Sequence, residues 1–151
     1  MNKGLTFIEI IIAIAIILII IVFSLISLNT FKENQSLKNA VNEAISLINQ
    51  ARSKTLSSQD FSQYGIHFEL SRAVLFKGTT FSEIDASNIV FILPDSVEIS
   101  DINLNGGGVN LVFQKLTGKT DEYGTVVFRA KNNISKTETI DIKSTGIVDI
   151  Q

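Results

Sequence analysis

One carboxylate stands alone near the start of this chain. Residues 5–28, LTFIEIIIAIAIILIIIVFSLISL, form an apolar block whose single charge is Glu9. A carboxylate in hydrocarbon costs roughly 2.5–3.5 kcal/mol at full depth and less near the interface. An acid in such a block therefore implies a partner, and the natural one is an amine. A cut after Gly4 would leave an α-ammonium on Leu5, four residues before Glu9 and on the same helix face. In a bundle of identical helices the carboxylate could equally reach the amine of a neighbour. Such a pair is far stronger in low dielectric than in water, and removing one member strands the other.

The remaining candidates are weaker. With one His and no Cys, multi-histidine metal sites, disulfides and thiolate chemistry are excluded. His67 lies between Ile66 and Phe68 in an alternating stretch, so it is expected to point away from their face. Asp95, Glu98 and Asp101 offer oxygen ligands for a hard cation, but their spacing fits no calcium loop. Gly106–Gly108 lacks the Lys-Ser/Thr that completes a phosphate loop. No nucleophile motif surrounds any Ser, Thr or Lys. No catalytic residue, cofactor, metal or small-molecule substrate is expected, and the chain does not read as an enzyme. Six basic residues (Lys115, Lys119, Arg129, Lys131, Lys136, Lys143) are interleaved with Asp121, Glu122, Glu138 and Asp141, and the net charge is −2. Phosphate binding wants a concentrated patch, which argues against nucleic acid as a partner.

These residues are positioned by two kinds of element. The apolar block, as a helix, spans roughly 36 Å, enough to cross a bilayer core of about 30 Å once. From Asn29 the pattern becomes amphipathic: Leu37, Val41, Ala44, Ile48 and Ala51 recur at spacings of four and three, widened by Ala40, Ile45 and Leu47. No Pro or Gly interrupts residues 5–57, so one continuous helix is expected. From Tyr64 the period is two. Strands are expected at 64–70, 72–78, 88–93, 96–100, 109–114, 125–130, 137–143 and 146–150. The breaks between them carry turn chemistry, such as Pro94-Asp95, 105–108 and Asn132-Asn133. Ile66, Phe68 and Leu70, like Ile140 and Ile142, imply sheets with one buried and one wet face. The fold class is α+β: a long N-terminal helix, membrane-spanning in its first half and amphipathic in its second, packed on an antiparallel β head. The divisions are 1–4, 5–28, 29–60 and 61–151.

MNKGLTFIE followed by an unbroken apolar run resembles the type III signal of type IV pilins and pseudopilins. Lys3, Gly4, Thr6 and Glu9 match that pattern, while Leu5 stands where the family usually has Phe or Met. The resemblance implies cleavage between Gly4 and Leu5 by a prepilin peptidase, N-methylation of Leu5, and assembly through Glu9 and Thr6 with other pilin subunits. It also implies a single-pass protein of the cytoplasmic (inner) membrane with its head outside the cytoplasm. QARSKTLSS (50–58) is similar to the Ala-Arg-Ser stretch that closes the long helix in the GspH/FimT group of minor pseudopilins. IDIKSTGIVDIQ (140–151) is similar to that group's closing hairpin. Arg52 is then expected to bind the helix to the head. The function implied is that of a minor subunit of a type II secretion pseudopilus or a type IV pilus. A DNA-binding uptake pilin and a signal-anchored extracytoplasmic binding domain are the alternatives.

The leader reading has a direct measurement. Intact mass of membrane-extracted protein should show loss of Met1–Gly4, whereas a mature start near Leu25 would mean an ordinary signal peptidase. Gly4→Val should leave the precursor uncut, because a branched side chain replaces the smallest one at the scissile bond.

Overall fold

The structure is a computed structural model that describes residues 6–151, with the side chains of 22–30 outside the description. The chain divides into two compact units, one ending at Glu33 and one spanning Asn34–Gln151. Helix α1 (Phe7–Leu56) runs through both, as expected from a stretch without Pro or Gly.

In the first unit the described side chains from Phe7 to Ile21 are exposed on every side of the helix. A helix apolar all round must be covered by lipid or by other apolar surfaces. Among the described residues no helix is long and apolar enough to cross a membrane. The span expected at 5–28 reaches beyond the described residues at its first position and beyond the described side chains from residue 22 onward.

In the second unit the amphipathic half of α1 behaves as its spacing predicts. Leu37, Ala40, Val41, Ala44, Leu47, Ile48 and Ala51 are buried, and Ile45 packs beside them. Eight strands follow: β1 (Tyr64–Glu69), β2 (Arg72–Lys77), β3 (Ile89–Ile92), β4 (Val97–Leu104), β5 (Asn110–Val112), β6 (Gly124–Ala130), β7 (Asn133–Ile142) and β8 (Val148–Ile150). They form two antiparallel sheets, ordered β3-β2-β1-β5 and β4-β6-β7-β8. The stripe of α1, Ile66 and Phe68 of β1, Leu75 of β2, Phe128 of β6 and Ile140 of β7 share one core.

Four expectations need correction. Leu70 is 63% exposed rather than buried, because β1 ends at Glu69 and Leu70 falls in the turn to β2. The first sheet has no wet face over β2: Val74 and Phe76 are buried on the side away from α1's core. Phe81, from the segment after β2, stacks on His67 (centroids 3.9 Å apart) and meets Phe76 edge-on (5.7 Å). β4 runs to Leu104, not to residue 100. A bulge between Ile99 and Asp101 shifts the inward positions from Val97 and Ile99 to Ile102 and Leu104, and a break in parity hides the second half from a period-two reading. β7 likewise begins at Asn133 rather than at 137, since residues 133–135 are exposed and show no alternation.

The helix is tied to the first strand by one buried hydroxyl. Thr55 Oγ1 donates to the Ala51 carbonyl (2.9 Å) and accepts the Tyr64 N–H (2.9 Å). Thr55→Val keeps the shape but leaves that amide unpaired. It should lower unfolding stability by about 1–3 kcal/mol, read as a shifted urea midpoint at unchanged slope in detergent-solubilised protein.

Candidate assembly site

The first turn of α1 brings Thr6 and Glu9 together. Glu9 Oε2 accepts both the Thr6 backbone N–H and the Thr6 hydroxyl, each at 2.9 Å, and the Glu9 N–H points to Thr6 Oγ1 at 3.4 Å. This is a reciprocal capping box: a Thr at the N-cap and a Glu three residues on satisfy each other's backbone donors. The helix begins at Phe7 because Thr6 supplies the cap. The signal was legible as Thr-x-x-Glu before an apolar run, yet intramembrane charge pairing alone did not require Thr6 as the carboxylate's partner. The carboxylate also sits where the positive end of the helix dipole favours an anion. Gly4 and Leu5, the expected cleavage and methylation positions, lie outside the described residues.

At the other end of α1, Arg52 reaches two loops of the head. Its Nε donates to the Gly118 carbonyl (3.1 Å) and its Nη2 to the Thr145 carbonyl (3.4 Å). The loop between β5 and β6 and the turn between β7 and β8 are thereby held against one helix. Gly146, at φ +77°, has no room for a side chain: a Cβ there would lie 1.9 Å from the Gly118 carbonyl oxygen and 2.9 Å from Arg52 Nε. The Ala-Arg-Ser stretch and the closing hairpin thus meet in space. Nearby, the Tyr64 hydroxyl donates to Asp60 Oδ2 (2.9 Å) and Lys77 Nζ lies 3.3 Å from the same oxygen. These hold the Asp60 carboxyl below its ordinary range, the tyrosine hydrogen bond first and Lys77 second. A lowered carboxyl contributes its contacts above the unfolded value and loses them as pH falls through the folded one, so this corner stays tied at neutral pH.

The other candidates are engaged locally or kept apart. His67 lies within 2.6 Å of Asn110 Oδ1 through Nδ1 and 3.3 Å of Glu69 Oε1 through Nε2. Glu98 accepts from Arg129, and Asp101 is exposed on the far side of the β4 bulge. Among the described residues no group of three His, Cys, Asp or Glu side chains converges to hold a metal. The basic residues are dispersed: Lys115 donates to the Phe61 carbonyl, Lys136 to Asn34, and Lys143 pairs with Asp141 and Asp149.

No protein-family model and no curated protein matches the chain in sequence. Solved structures do match in fold. The minor pseudopilin EpsH from the type 2 secretion system of Vibrio cholerae is 11% identical, with a TM-score of 0.59 over 77% of this chain and 96% of that one. The type IV minor pilin FimU of Pseudomonas aeruginosa is 14% identical in two crystal forms. Its TM-scores are 0.57 and 0.59, over 76% and 80% of this chain and 92% of that one. The chain therefore has the pilin-like α+β fold, with a long N-terminal helix and an antiparallel β head.

The Arg52 latch is testable by itself. Arg52→Met keeps the aliphatic stem and removes both hydrogen bonds. It should cost about 1.5–3 kcal/mol, the range for bonds to a charged group. Amide exchange at Gly118 and Gly146 should accelerate while the β6–β7 pairing stays protected. Uniform acceleration across the head would place the role of Arg52 in the core instead.

Proposed function

We propose that this chain is a minor pilin or pseudopilin: a structural subunit, not an enzyme, built into a type II secretion pseudopilus or a type IV pilus. The observation that carries the reading is the pairing of a pilin-like fold with Thr6 and Glu9 at the start of an all-round apolar helix. In this reading the chain is inserted through residues 5–28, with its head on the extracytoplasmic side of the cytoplasmic membrane. A prepilin peptidase cuts after Gly4, Leu5 becomes the N-methylated terminus, and the helix joins other pilin subunits.

Glu9 then does two jobs. Its capping bonds hold Thr6 and fix where the helix starts. Its charge meets the Leu5 ammonium, in its own chain or a neighbour's, once the helices leave lipid and pack together. The exposed isoleucines at residues 8–21 supply apolar surface for that packing, and the carboxylate–amine pair sets its register, since a misaligned subunit would bury an unpaired charge.

The two jobs separate by substitution. Glu9→Gln keeps a capping-box side chain but removes the charge; Glu9→Leu removes both. Both variants should be cut after Gly4, because the leader is untouched. Crosslinking to the other subunits should fall at least tenfold in both, as stranding a buried charge costs about 3–5 kcal/mol. Wild-type assembly by Glu9→Gln with failure of Glu9→Leu would assign Glu9 to capping alone. Precursor that is never cut, with function intact in all three forms, would make the chain a plain signal-anchored protein.

A further inference from the structure

Among the described residues the two sheets end in four edge strands, and three of them are protected. At β5 the outward N–H of Val112 is held by Glu122 Oε2 (3.3 Å). At β4 the Ile99 N–H is taken by the Leu70 carbonyl (2.9 Å), and the bulge and the exposed Asp101 follow. β8 has three residues with Asp149 at its centre, 3.5 Å from Lys143. Charges, bulges and short length are the usual guards of an edge against pairing with another chain. β3, Ile-Val-Phe-Ile, carries no charge and no bulge, and no strand lies on its far side among the described residues.

The register shows what that edge offers. The Leu93 N–H donates to the Ser71 carbonyl (2.9 Å). In the antiparallel ladder that follows, Ile89 and Phe91 bond to β2, while Val90 and Ile92 turn their N–H and C=O groups outward. The same two side chains are exposed, Val90 by 46% and Ile92 by 72%. On the opposite face an open cleft of about 270 Å³ lies between β3 and α1. Its accessible lining is Asn39 and Glu43 of α1, the half-buried Phe91 and the exposed Pro94. The surrounding charge is acidic: Glu43 in the cleft, Glu83 and Asp85 in the segment before β3, and Asp95 after it. The cations of β2 are already engaged, Arg72 by Glu69 and Glu83, and Lys77 by Asp60.

We propose that β3 is a docking edge for an extended, basic segment of another protein, which adds a fifth strand to the first sheet. Main-chain hydrogen bonds to Val90 and Ile92 supply affinity, and alternate side chains supply specificity. A partner residue opposite Phe91 projects to the α1 side. A Lys or Arg there lays its stem along Phe91 and Pro94 and brings its charge to Glu43. Partner residues opposite Val90 and Ile92 are apolar and cover them on the outer face. The recognised pattern is therefore apolar, basic, apolar. A second copy of this chain is a poor occupant, because β3 has no basic residue and self-pairing would set Glu43 and the flanking acids against their equals. The inference gives the head a partner surface, and it holds whether the apolar helix enters a filament or serves as an anchor.

The probe is a short synthetic peptide of alternating valine and lysine, capped at both ends, added to the detergent-solubilised full-length chain. The control is the same peptide with glutamate in place of lysine. The lysine peptide should bind at least tenfold more tightly. It should slow amide exchange at Val90 and Ile92 at least tenfold and leave Val148, on the edge strand β8, unchanged. Val90→Pro removes an N–H that faces away from β2, a change edge strands tolerate, and should weaken binding at least tenfold. Glu43→Lys, at an exposed helix position, leaves the strand untouched and should turn the preference toward the glutamate peptide. Absence of binding, binding without protection at Val90 and Ile92, or equal affinity for the two peptides overturns the proposal. The chain has no cysteine, so self-pairing is read directly. Val90→Cys chains that oxidise to a homodimer above the level of Ile84→Cys, Ile84 being 94% exposed, would assign the edge to a second copy and overturn the proposal as well.

Discussion

The second unit depends on burial of the stripe from Leu37 to Ala51. Neither sheet could cover its own apolar face with strands alone, and an isolated amphipathic helix of about four turns is marginal in water. Packed together, Ile48 of α1, Ile66 and Phe68 of β1, and Phe128 and Ile140 of the second sheet form one cluster. Alanines at 40, 44 and 51 matter as much as the larger residues, because their small size lets the helix backbone approach the strands. Thr55 and Arg52 act at the end of this packed stretch. They fix its polar terminus to β1 and to the two loops at Gly118 and Thr145.

The same helix meets a different requirement in the first unit. There the described side chains from Phe7 to Ile21 are exposed all round and, Glu9 apart, apolar. Surface of that kind must be covered by lipid or by other apolar surfaces. On the function proposed above, Glu9 would serve in both settings. Its capping bonds to Thr6 stay within one chain and hold in either environment, while its charge gains most where low dielectric and a neighbouring amine coincide.

The head shows where such a fold leaves freedom. Its core is shared by the helix and both sheets, but the segment after β2, the loop after α1 and the loop after β5 carry their own chemistry. Phe81 uses the first to stack on His67 and meet Phe76 edge-on. Phe61 and Leu116 use the other two to face solvent.

The sequence alone determined what depends on local pattern. It set the limits of the apolar block, the stripe at 37–51, the eight strands to within a few residues, and Glu9 as the lone charge of the block. Each follows from periodicity, turn chemistry or charge that needs no distant partner. Tertiary structure decided what depends on neighbours remote in the chain. Strand order could not be read, since β5 joins β1 while β4 leaves for the other sheet. The full length of β4 was hidden because a bulge at Ser100 reverses which residues face inward. The buried outer face of β2 depends on Phe81, a residue in a segment with no periodicity of its own. Arg52 was visible as a cation near a helix end, but its partners are backbone carbonyls at 118 and 145, and a carbonyl carries no mark in the sequence. Only the folded chain brings those groups within hydrogen-bonding distance.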